Sequence, residues 1–253
     1  MSIREFLKTT LPEPLKNAIK KAFRPIINLV LQKEYEELRF WRQRFEMDNG
    51  KFKNDFYSKL LLNMAEESCD RFLEGKIVAD FGCGPRGSLV WAKSANLKIG
   101  IDVLADGYAD TFTEDIKSHG MIYVKSTEKV IPIPSEFVDV LFTLNAIDHV
   151  NNFPIMCAEI LRIIKPGGLF VGGFNLEEPA TACEPHQLNE QLIQTHLLNN
   201  LEIESYRITR KGPPENHFEP FFTGNLSYEQ GEEGYLWVRA SKPNRIPSKA
   251  SDK

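Results

Sequence analysis

Five short apolar runs, separated by stretches of helical composition, constrain the fold of this 253-residue chain more than any other feature. They lie at residues 77–81, 99–103, 121–124, 138–144 and 169–174. Apolar runs that alternate with helical segments are typical of βαβ units around a parallel sheet buried on both faces. Two later stretches, 201–209 and 235–240, alternate apolar and polar residues, which predicts an antiparallel hairpin at the sheet edge. We therefore expect an α/β fold with a doubly wound, mostly parallel seven-stranded sheet.

The first 75 residues differ in character from the strand-rich remainder. Apolar side chains recur there at helical spacing, which predicts an N-terminal helical extension, or cap, over residues 1–75. We expect the sheet domain to cover residues 76–242, and the Pro-, Ser- and Lys-rich residues 243–253 to form a disordered tail. Residues 1–33 hold seven Lys or Arg and two acidic residues. The amphipathic stretch 14–31 therefore either packs on the domain or contacts a membrane surface.

Charge and cysteine content narrow the class of protein. The formal net charge is −4, which does not favour a nucleic-acid partner. The four cysteines form no C-x-x-C pair and have no zinc spacing, so reduced thiols are the simplest interpretation. Lys16, Lys20, Lys21 and Arg24 interrupt the first apolar run, so we expect no signal peptide, and no apolar stretch reaches roughly 18 uninterrupted residues. We expect a cytoplasmic protein, with peripheral contact at the inner face of a membrane left open.

A glycine turn follows the first predicted strand, in the sequence Asp80-Phe81-Gly82-Cys83-Gly84-Pro85-Arg86-Gly87-Ser88. Glycines let the backbone approach a ligand closely, and we expect a helix to begin near Ser88 and present its unpaired N–H groups. Gly82, Gly84 and Gly87 also fit the G-x-G-x-x-G pattern of dinucleotide sites, which is weak evidence by itself. The turn thus predicts a ligand site without identifying the ligand.

Two carboxylates near this turn narrow the choice of ligand. Asp102 ends the next predicted strand, 20 residues after Gly82, where it can accept hydrogen bonds from both ribose hydroxyls of a nucleoside. Asp80 stands two residues before the first glycine, where a carboxylate would repel a pyrophosphate but attract an ammonium group. S-Adenosylmethionine carries an ammonium and a sulfonium and has no phosphate. Charge complementarity therefore favours this cofactor over a nicotinamide dinucleotide.

Ordered motifs across residues 77–174 give the chain a family resemblance. They lie at 80–84, 101–102, 131–140, 148–150 and 159–168, and the last one is Glu-Ile-Leu-Arg-Ile-Ile-Lys-Pro-Gly-Gly. In this order they resemble class I S-adenosylmethionine-dependent methyltransferases of the small-molecule type. The resemblance implies a Rossmann-like methyltransferase fold with S-adenosyl-L-methionine as cofactor. Weaker similarity, at 37–41 and 100–108, links the chain to bacterial methyltransferases of cell-surface polysaccharide biosynthesis.

The resemblance also implies which residues contact the cofactor. Asp80 and the backbone of Gly82 and Gly84 hold the methionine end, Asp102 binds the ribose, and Val103 or Leu104 packs on the adenine. The family often has an Asp after the third strand that contacts the adenine amino group. This chain has Ser126-Thr127-Glu128 at that place, so we expect Thr127 or Glu128 to make the contact. Asn145, directly after the fourth predicted strand, is the remaining cofactor candidate.

Methyl transfer to a hydroxyl requires a group that removes a proton, placed at the carboxyl ends of the strands. His149 is the leading candidate because an imidazole titrates near neutral pH. Asp148 and His186 are the other two. Asp148 or His149 could instead cap the next helix or line the site passively, and His186 could be a surface residue at a helix start. No metal-binding triad is evident in the sequence, which predicts metal-independent transfer.

Taken together, these features predict S-adenosylmethionine-dependent O-methylation of a small-molecule or carbohydrate hydroxyl. Two alternatives stay open. The altered segment Ser126-Thr127-Glu128 would suit a non-catalytic module that keeps the cofactor fold only to bind a partner. An NAD(P)-dependent oxidoreductase is the other alternative, and the charge of Asp80 argues against it. The identity of the acceptor and the oligomeric state do not follow from the sequence.

Overall fold

The computed structural model describes residues 32–213 and 215–244. The proposed membrane-contacting stretch 14–31 and most of the expected tail at 243–253 therefore lie outside the described residues. The chain divides into two compact units, Met1–Gln43 and Arg44–Lys253. The sheet and the candidate site belong to the second unit. Within the described ranges, no helix is long and apolar enough to cross a bilayer.

A seven-stranded sheet forms the centre of the second unit. Its strands are β1 Ile77–Phe81, β2 Leu97–Asp102, β3 Ile122–Lys125, β4 Val138–Leu144, β5 Ile164–Leu176, β6 Glu202–Arg210 and β7 Gly234–Ser241. The spatial order is β3-β2-β1-β4-β5-β7-β6. The first five strands in this order pair in parallel, whereas β7 runs antiparallel to both β5 and β6. The predicted doubly wound, mostly parallel sheet with an antiparallel pair at one edge is confirmed.

Two helices precede β1 and the other five lie between strands in the chain, and side-chain caps fix where two of these five begin. They are α1 at 32–47, α2 Asp55–Met64, α3 Ala105–Thr111, α4 Thr113–Ser118, α5 Phe153–Ile163, α6 Glu190–His196 and α7 Glu219–Thr223. The side chain of Asn152 caps α5 by accepting the N–H of Ile155 at 3.2 Å, and Asn189 caps α6 through the N–H of Leu192 at 2.8 Å. Both caps satisfy N–H groups that a first helical turn leaves unpaired.

Apolar side chains cover both faces of the sheet. Along β4, Val140 and Phe142 join one buried cluster, whereas Leu141 between them joins the other. Val78 and Ala79 of β1 divide in the same way, because successive side chains of a strand point to opposite faces. Burial on both faces explains why these strands are nearly continuous apolar runs in the sequence.

The connection between β1 and β2 differs from the prediction, because no helix begins at Ser88. Residues 88–96 form turns and bends instead. Two of their hydrogen bonds go to residues outside the segment: the Ser88 hydroxyl donates to Asp80, and the Ser94 N–H donates to Asp70 Oδ2 at 2.9 Å. Ala95 forms an isolated antiparallel bridge with Glu74. Within the segment, the N–H groups of Val90 and Ala92 donate to the carbonyls of Gly87 and Leu89, three residues back, so the backbone forms turns and not an α-helix.

Candidate functional site

The glycine turn adopts a backbone that only glycine accommodates easily. Gly82 and Gly84 have φ values of 71° and 56°, in the left-handed region where a side chain is strained. A Cβ atom at Gly82 would lie 2.1 Å from the Cβ atom of Ala146, in the segment that follows β4. The turn after β1 therefore packs directly against the segment after β4, and this packing excludes any side chain at position 82.

Asp102 connects the turn after β1 with the segment after β2. Its Oδ2 accepts the N–H of Gly84 at 3.0 Å, and its Oδ1 accepts the N–H of Leu104 at 2.9 Å. A carboxylate oxygen can accept more than one hydrogen bond, so these contacts leave acceptor capacity for a ligand. Val103 is half-buried and Leu104 is buried, so the predicted adenine-packing residues lie directly beside the carboxylate.

Asp80 is almost completely removed from solvent, with 5% of its surface exposed. The pKa of its carboxyl group is raised to about 7, chiefly by burial; the hydrogen bond from Ser88 opposes the shift, and the nearby charge of Asp102 adds to it. A cation placed beside this carboxyl would favour its ionised form.

The electrostatics of the turn suit a positively charged ligand. Asp102 lies close enough to Asp80 for its negative charge to raise the pKa of the Asp80 carboxyl group. Arg86, the basic residue of the turn, places Nη2 2.6 Å from Asp48 Oδ2 and lies over the ring of Phe56. Its charge is thus matched by Asp48 rather than by either carboxylate of the turn. The arrangement fits the ammonium and sulfonium of S-adenosylmethionine better than it fits a phosphate.

The side chains of Thr127 and Glu128 accept hydrogen bonds from backbone N–H groups. Thr127 Oγ1 accepts the N–H groups of Val130 at 3.0 Å and Lys129 at 3.3 Å, and Glu128 Oε2 accepts the N–H of Asn151 at 2.7 Å. These bonds shape the segment after β3, where the family resemblance places an adenine contact. The contribution of Thr127 and Glu128 to cofactor binding stays a prediction.

Asn145 lies at the end of β4 in an unusual backbone conformation. Its φ is 45°, in the left-handed region, and its N–H donates to the carbonyl of Gly173 at 2.9 Å. Strained non-glycine residues of this kind concentrate at functional sites. Its buried side-chain oxygen has no hydrogen-bond donor within residues 32–213 and 215–244. Asn145 stays a cofactor candidate because it adjoins Ala146, which contacts the glycine turn.

Three potential ligand groups meet at the carboxyl ends of β4 and β5. We call Asp148, His149 and Glu184 the Asp–His–Glu cluster; one nitrogen or oxygen from each lies within 4.8 Å of the others. The His149 Nε2 is 3.4 Å from Glu184 Oε1. Asp148 is 4% exposed, and burial raises the pKa of its carboxyl group. Asn175, near the end of β5, donates its Nδ2 to Asp148 Oδ2 at 3.4 Å.

The cluster contains two of the three sequence-predicted catalytic candidates, Asp148 and His149. Its third member, Glu184, and the neighbouring Asn175 were not predicted from the sequence. Glu184 follows His149 by 35 residues, and Asn175 lies on another strand, so no short spacing joins them to Asp148. The topology of the sheet is the signal that could have predicted this meeting, because the carboxyl ends of neighbouring parallel strands lie at one edge of a sheet.

The third catalytic candidate, His186, is not a simple surface residue. Its ring lies 6.0 Å from that of Phe153, and its buried Nε2 has no hydrogen-bond partner in the described part of the chain. Helix α6 begins at Glu190, four residues further on, so His186 stands in the loop before the helix. No contact within the Asp–His–Glu cluster involves His186, and its catalytic role stays a prediction.

Comparison with known sequences identifies the sheet domain. Residues 79–172 match the family model described as a methyltransferase domain. A curated relative, an uncharacterized protein of Haemophilus influenzae, is 28% identical over 119 residues, which are 44% of this chain and 46% of that protein. The match therefore spans less than half the length of that relative.

Comparison with solved structures gives the same fold at low identity. Phosphoethanolamine N-methyltransferase 2 of Haemonchus contortus, in complex with phosphomonomethylethanolamine and S-adenosylhomocysteine, has a TM-score of 0.54 at 15% identity, over 77% of this chain and 54% of that one. Geranyl diphosphate C-methyltransferase of Streptomyces coelicolor, in complex with Mg²⁺, geranyl diphosphate and S-adenosylhomocysteine, has a TM-score of 0.53 at 14% identity, over 73% and 76%. The [4+2]-cyclase SpnF has a TM-score of 0.51 at 20% identity, over 74% and 93%.

At these identities the structures establish the fold alone, and the family match establishes the type of domain. The match covers β1 to β5, the strands that carry the glycine turn, Asp102 and Asp148. It agrees with the family resemblance of the sequence and with the acidic character of the turn. Residues 79–172 therefore belong to a methyltransferase domain, and the motifs and the sheet topology around them resemble those of class I S-adenosylmethionine-dependent methyltransferases.

Proposed function

We propose that this domain methylates a hydroxyl group of a small molecule or a carbohydrate, and that the acceptor lies at the Asp–His–Glu cluster. One observation carries the proposal: the segment that holds Asp148 and His149 also holds Ala146, which contacts the glycine turn at Gly82. The cofactor turn and the cluster are therefore neighbours at the same edge of the sheet. A methyl donor and an acceptor must meet in this way for direct transfer.

We infer that the cofactor is held by the residues around the glycine turn. Asp80 would attract the ammonium group, Gly82 and Gly84 would offer their backbone, and Asp102 would accept the ribose hydroxyls. When bound, S-adenosylmethionine supplies a methyl carbon on a sulfonium, so transfer to a hydroxyl forms a carbon–oxygen bond, breaks a carbon–sulfur bond and releases a proton. The proximity of the acidic groups of Asp80 and Asp102 supports this placement of a cationic cofactor.

The Asp–His–Glu cluster is the proposed place where the acceptor hydroxyl loses its proton. The imidazole Nε2 and the two carboxylates are groups near the cofactor turn that can bind a hydroxyl directly. That His149 is itself the general base stays a prediction, since the same nitrogen is also suited to metal ligation. In either use, removal of the imidazole should reduce turnover while leaving the cofactor contacts in place.

The experiment is a radiolabelled methyl-transfer assay on small hydroxyl compounds, sugars and fractionated glycans. It compares the native chain with His149→Ala and with the exposed control His217→Ala. We expect His149→Ala to lower turnover about 10²–10⁴-fold. The dissociation constant for S-adenosylhomocysteine, measured by calorimetry, should stay within about twofold of the native value. Equal turnover in both variants would show that the Asp–His–Glu cluster takes no part in transfer. Cofactor binding without transfer to any acceptor would favour the non-catalytic alternative.

A further inference from the structure

Two buried oxygen atoms, one in the Asp–His–Glu cluster and one beside it, lack hydrogen-bond donors in the described part of the chain. Asp148 Oδ1 and Asn175 Oδ1 have no partner among residues 32–213 and 215–244, and the two residues are only 4% and 8% exposed. A buried acceptor without a donor destabilises the folded state, because the group has lost its hydrogen bonds to water. Asn175 lies against the Asp148 carboxylate through its Nδ2, so both unpaired oxygens belong to one small region. A positively charged group in this region would satisfy oxygens that no donor reaches.

Neighbouring side chains supply little of that positive charge. Glu184 and Glu178 both act on Asp148 as further negative charges, and His149 acts as a positive charge only when it is protonated. Lys211, the nearby lysine of the β6–α7 loop, pairs with Glu178 and with Glu233. The contact between His149 and Glu184 supplies no donor to the unpaired oxygens of Asp148 and Asn175.

The geometry of the cluster matches that of a metal site. One donor atom each from Asp148, His149 and Glu184 lies within 4.8 Å of the other two. Histidine nitrogen and carboxylate oxygen bind a metal at roughly 2.0–2.2 Å, so donors on opposite sides of one ion lie about 4 Å apart. A small contraction would bring all three groups onto a single cation, and Asn175 would hold the Asp148 carboxylate in place from behind it.

We propose that Asp148, His149 and Glu184 bind one divalent first-row metal cation, with Asn175 supporting the Asp148 carboxylate. An imidazole with two carboxylates suits Mn²⁺, Fe²⁺ or Zn²⁺ better than Mg²⁺, which prefers oxygen ligands. Where the inference extends to catalysis it rests on the proposed function: the cation would bind the acceptor hydroxyl and lower its pKa. His149 is then a ligand, and transfer is metal-dependent, in contrast to the expectation from the sequence.

The test is a titration of the full, EDTA-stripped chain with MnCl₂, followed by calorimetry and by electron paramagnetic resonance of the free ion. We expect one Mn²⁺ per chain, and at least roughly tenfold weaker binding in Glu184→Gln and in His149→Ala. The matched control is Glu202→Gln, an exposed carboxylate at the start of β6, which should bind as the native chain does. Circular dichroism establishes that each variant is folded.

Two results would overturn the metal site: a folded native chain that binds neither Mn²⁺ nor Zn²⁺, or binding that survives both cluster substitutions unchanged. S-Adenosylhomocysteine binding and methyl transfer, measured on the same samples, separate this inference from the proposed function. Full transfer in EDTA by a chain that binds no cation would reject the metal site and keep the function. Mn²⁺ binding that depends on Glu184, in a chain that binds no S-adenosylhomocysteine, would keep the metal site and reject the function.

Discussion

The Asp102 carboxylate accepts the N–H of Gly84 at 3.0 Å and so joins the end of β2 to the glycine turn after β1. Its other oxygen accepts the N–H of Leu104 at 2.9 Å. One side chain therefore fixes the backbone of two neighbouring loops at the carboxyl edge of the sheet. The proposed ribose contact would use a group that the fold already holds in position, which favours binding because less ordering is needed.

Replacing Asp102 should affect the cofactor more than the fold. Asp102→Ala removes both loop contacts and the proposed ribose acceptor, so we expect S-adenosylhomocysteine affinity to fall at least roughly tenfold, as when a charged hydrogen bond is lost. The exposed Asp110 of α3 is the matched control, and Asp110→Asn should leave affinity unchanged. Calorimetric titration of both variants measures the effect. Native affinity in Asp102→Ala would mean that the ribose is bound elsewhere.

Substitution of Gly82 tests the contact between the glycine turn and the segment after β4. Gly82→Ala adds strain at a φ of 71° and a Cβ atom 2.1 Å from Ala146 Cβ. Gly50→Ala is the control, because Gly50 has a φ of 75° and a Cβ atom added there would have no heavy atom within 4 Å. Both should lower the melting temperature through left-handed strain of about 1–2 kcal/mol. Gly82→Ala should lower it further and weaken S-adenosylhomocysteine binding.

The difference between these two melting temperatures measures the cost of the added contact. Each kcal/mol corresponds to about 2–4 °C of melting temperature for a domain of this size. Equal melting temperatures and equal cofactor affinities in the two variants would show that the turn moves away from Ala146 at no cost.

The buried Asp80 should lower the stability of the cofactor-free protein at neutral pH. Its folded pKa is about 7, against an ordinary value of 3.8, so the folded state binds more protons than the unfolded state between these values. The free energy of unfolding should therefore fall as pH rises from about 4 to about 7 and level off above that. Asp80→Asn removes this dependence while keeping an acceptor for Ser88, and it should melt at a higher temperature than the native chain at about pH 8. A lower melting temperature at that pH would contradict the assignment.

The same carboxyl group should make cofactor binding pH-dependent. An ammonium group beside Asp80 requires the ionised carboxylate, so affinity for S-adenosylhomocysteine should rise with pH up to about 7 and then reach a plateau. Because one proton is coupled to binding, the affinity can change by at most about tenfold per pH unit below the pKa of Asp80. Calorimetry between about pH 5.5 and 8.5 measures it, and Asp80→Asn should bind more weakly with a flat profile. If the affinity of the native chain does not change with pH, Asp80 does not contact the ammonium group of the ligand.

The sheet was predictable because its strands are buried on both faces and so leave continuous apolar runs in the sequence. The pairing of β5 with β7, in contrast, depends on tertiary contacts, and the sequence indicated only that two late strands would lie at an edge. The missing helix at Ser88 could not be foreseen from the sequence pattern, because the Ser88 hydroxyl and the Ser94 N–H make tertiary contacts with Asp80 and Asp70, which lie outside the segment.

The candidate site was predictable to the extent that it follows directly after strands. Asp80, Asp102 and Asp148 each lie within a few residues of a strand end, so parallel topology was enough to bring them to one edge. Glu184 and Asn175 reach Asp148 through the loop and the strand end of β5. Their meeting depends on three-dimensional contacts that no spacing in the sequence encodes.

Binding of S-adenosylmethionine to the full chain, measured by titration calorimetry beside NADH, tests the central claim most directly. We predict one S-adenosylmethionine site per chain, with affinity at least roughly tenfold lower in Asp102→Ala and also lowered in Asp80→Asn, and with no heat from NADH. Binding of NADH without binding of the sulfonium nucleoside would contradict the account, as would S-adenosylmethionine binding that neither substitution affects.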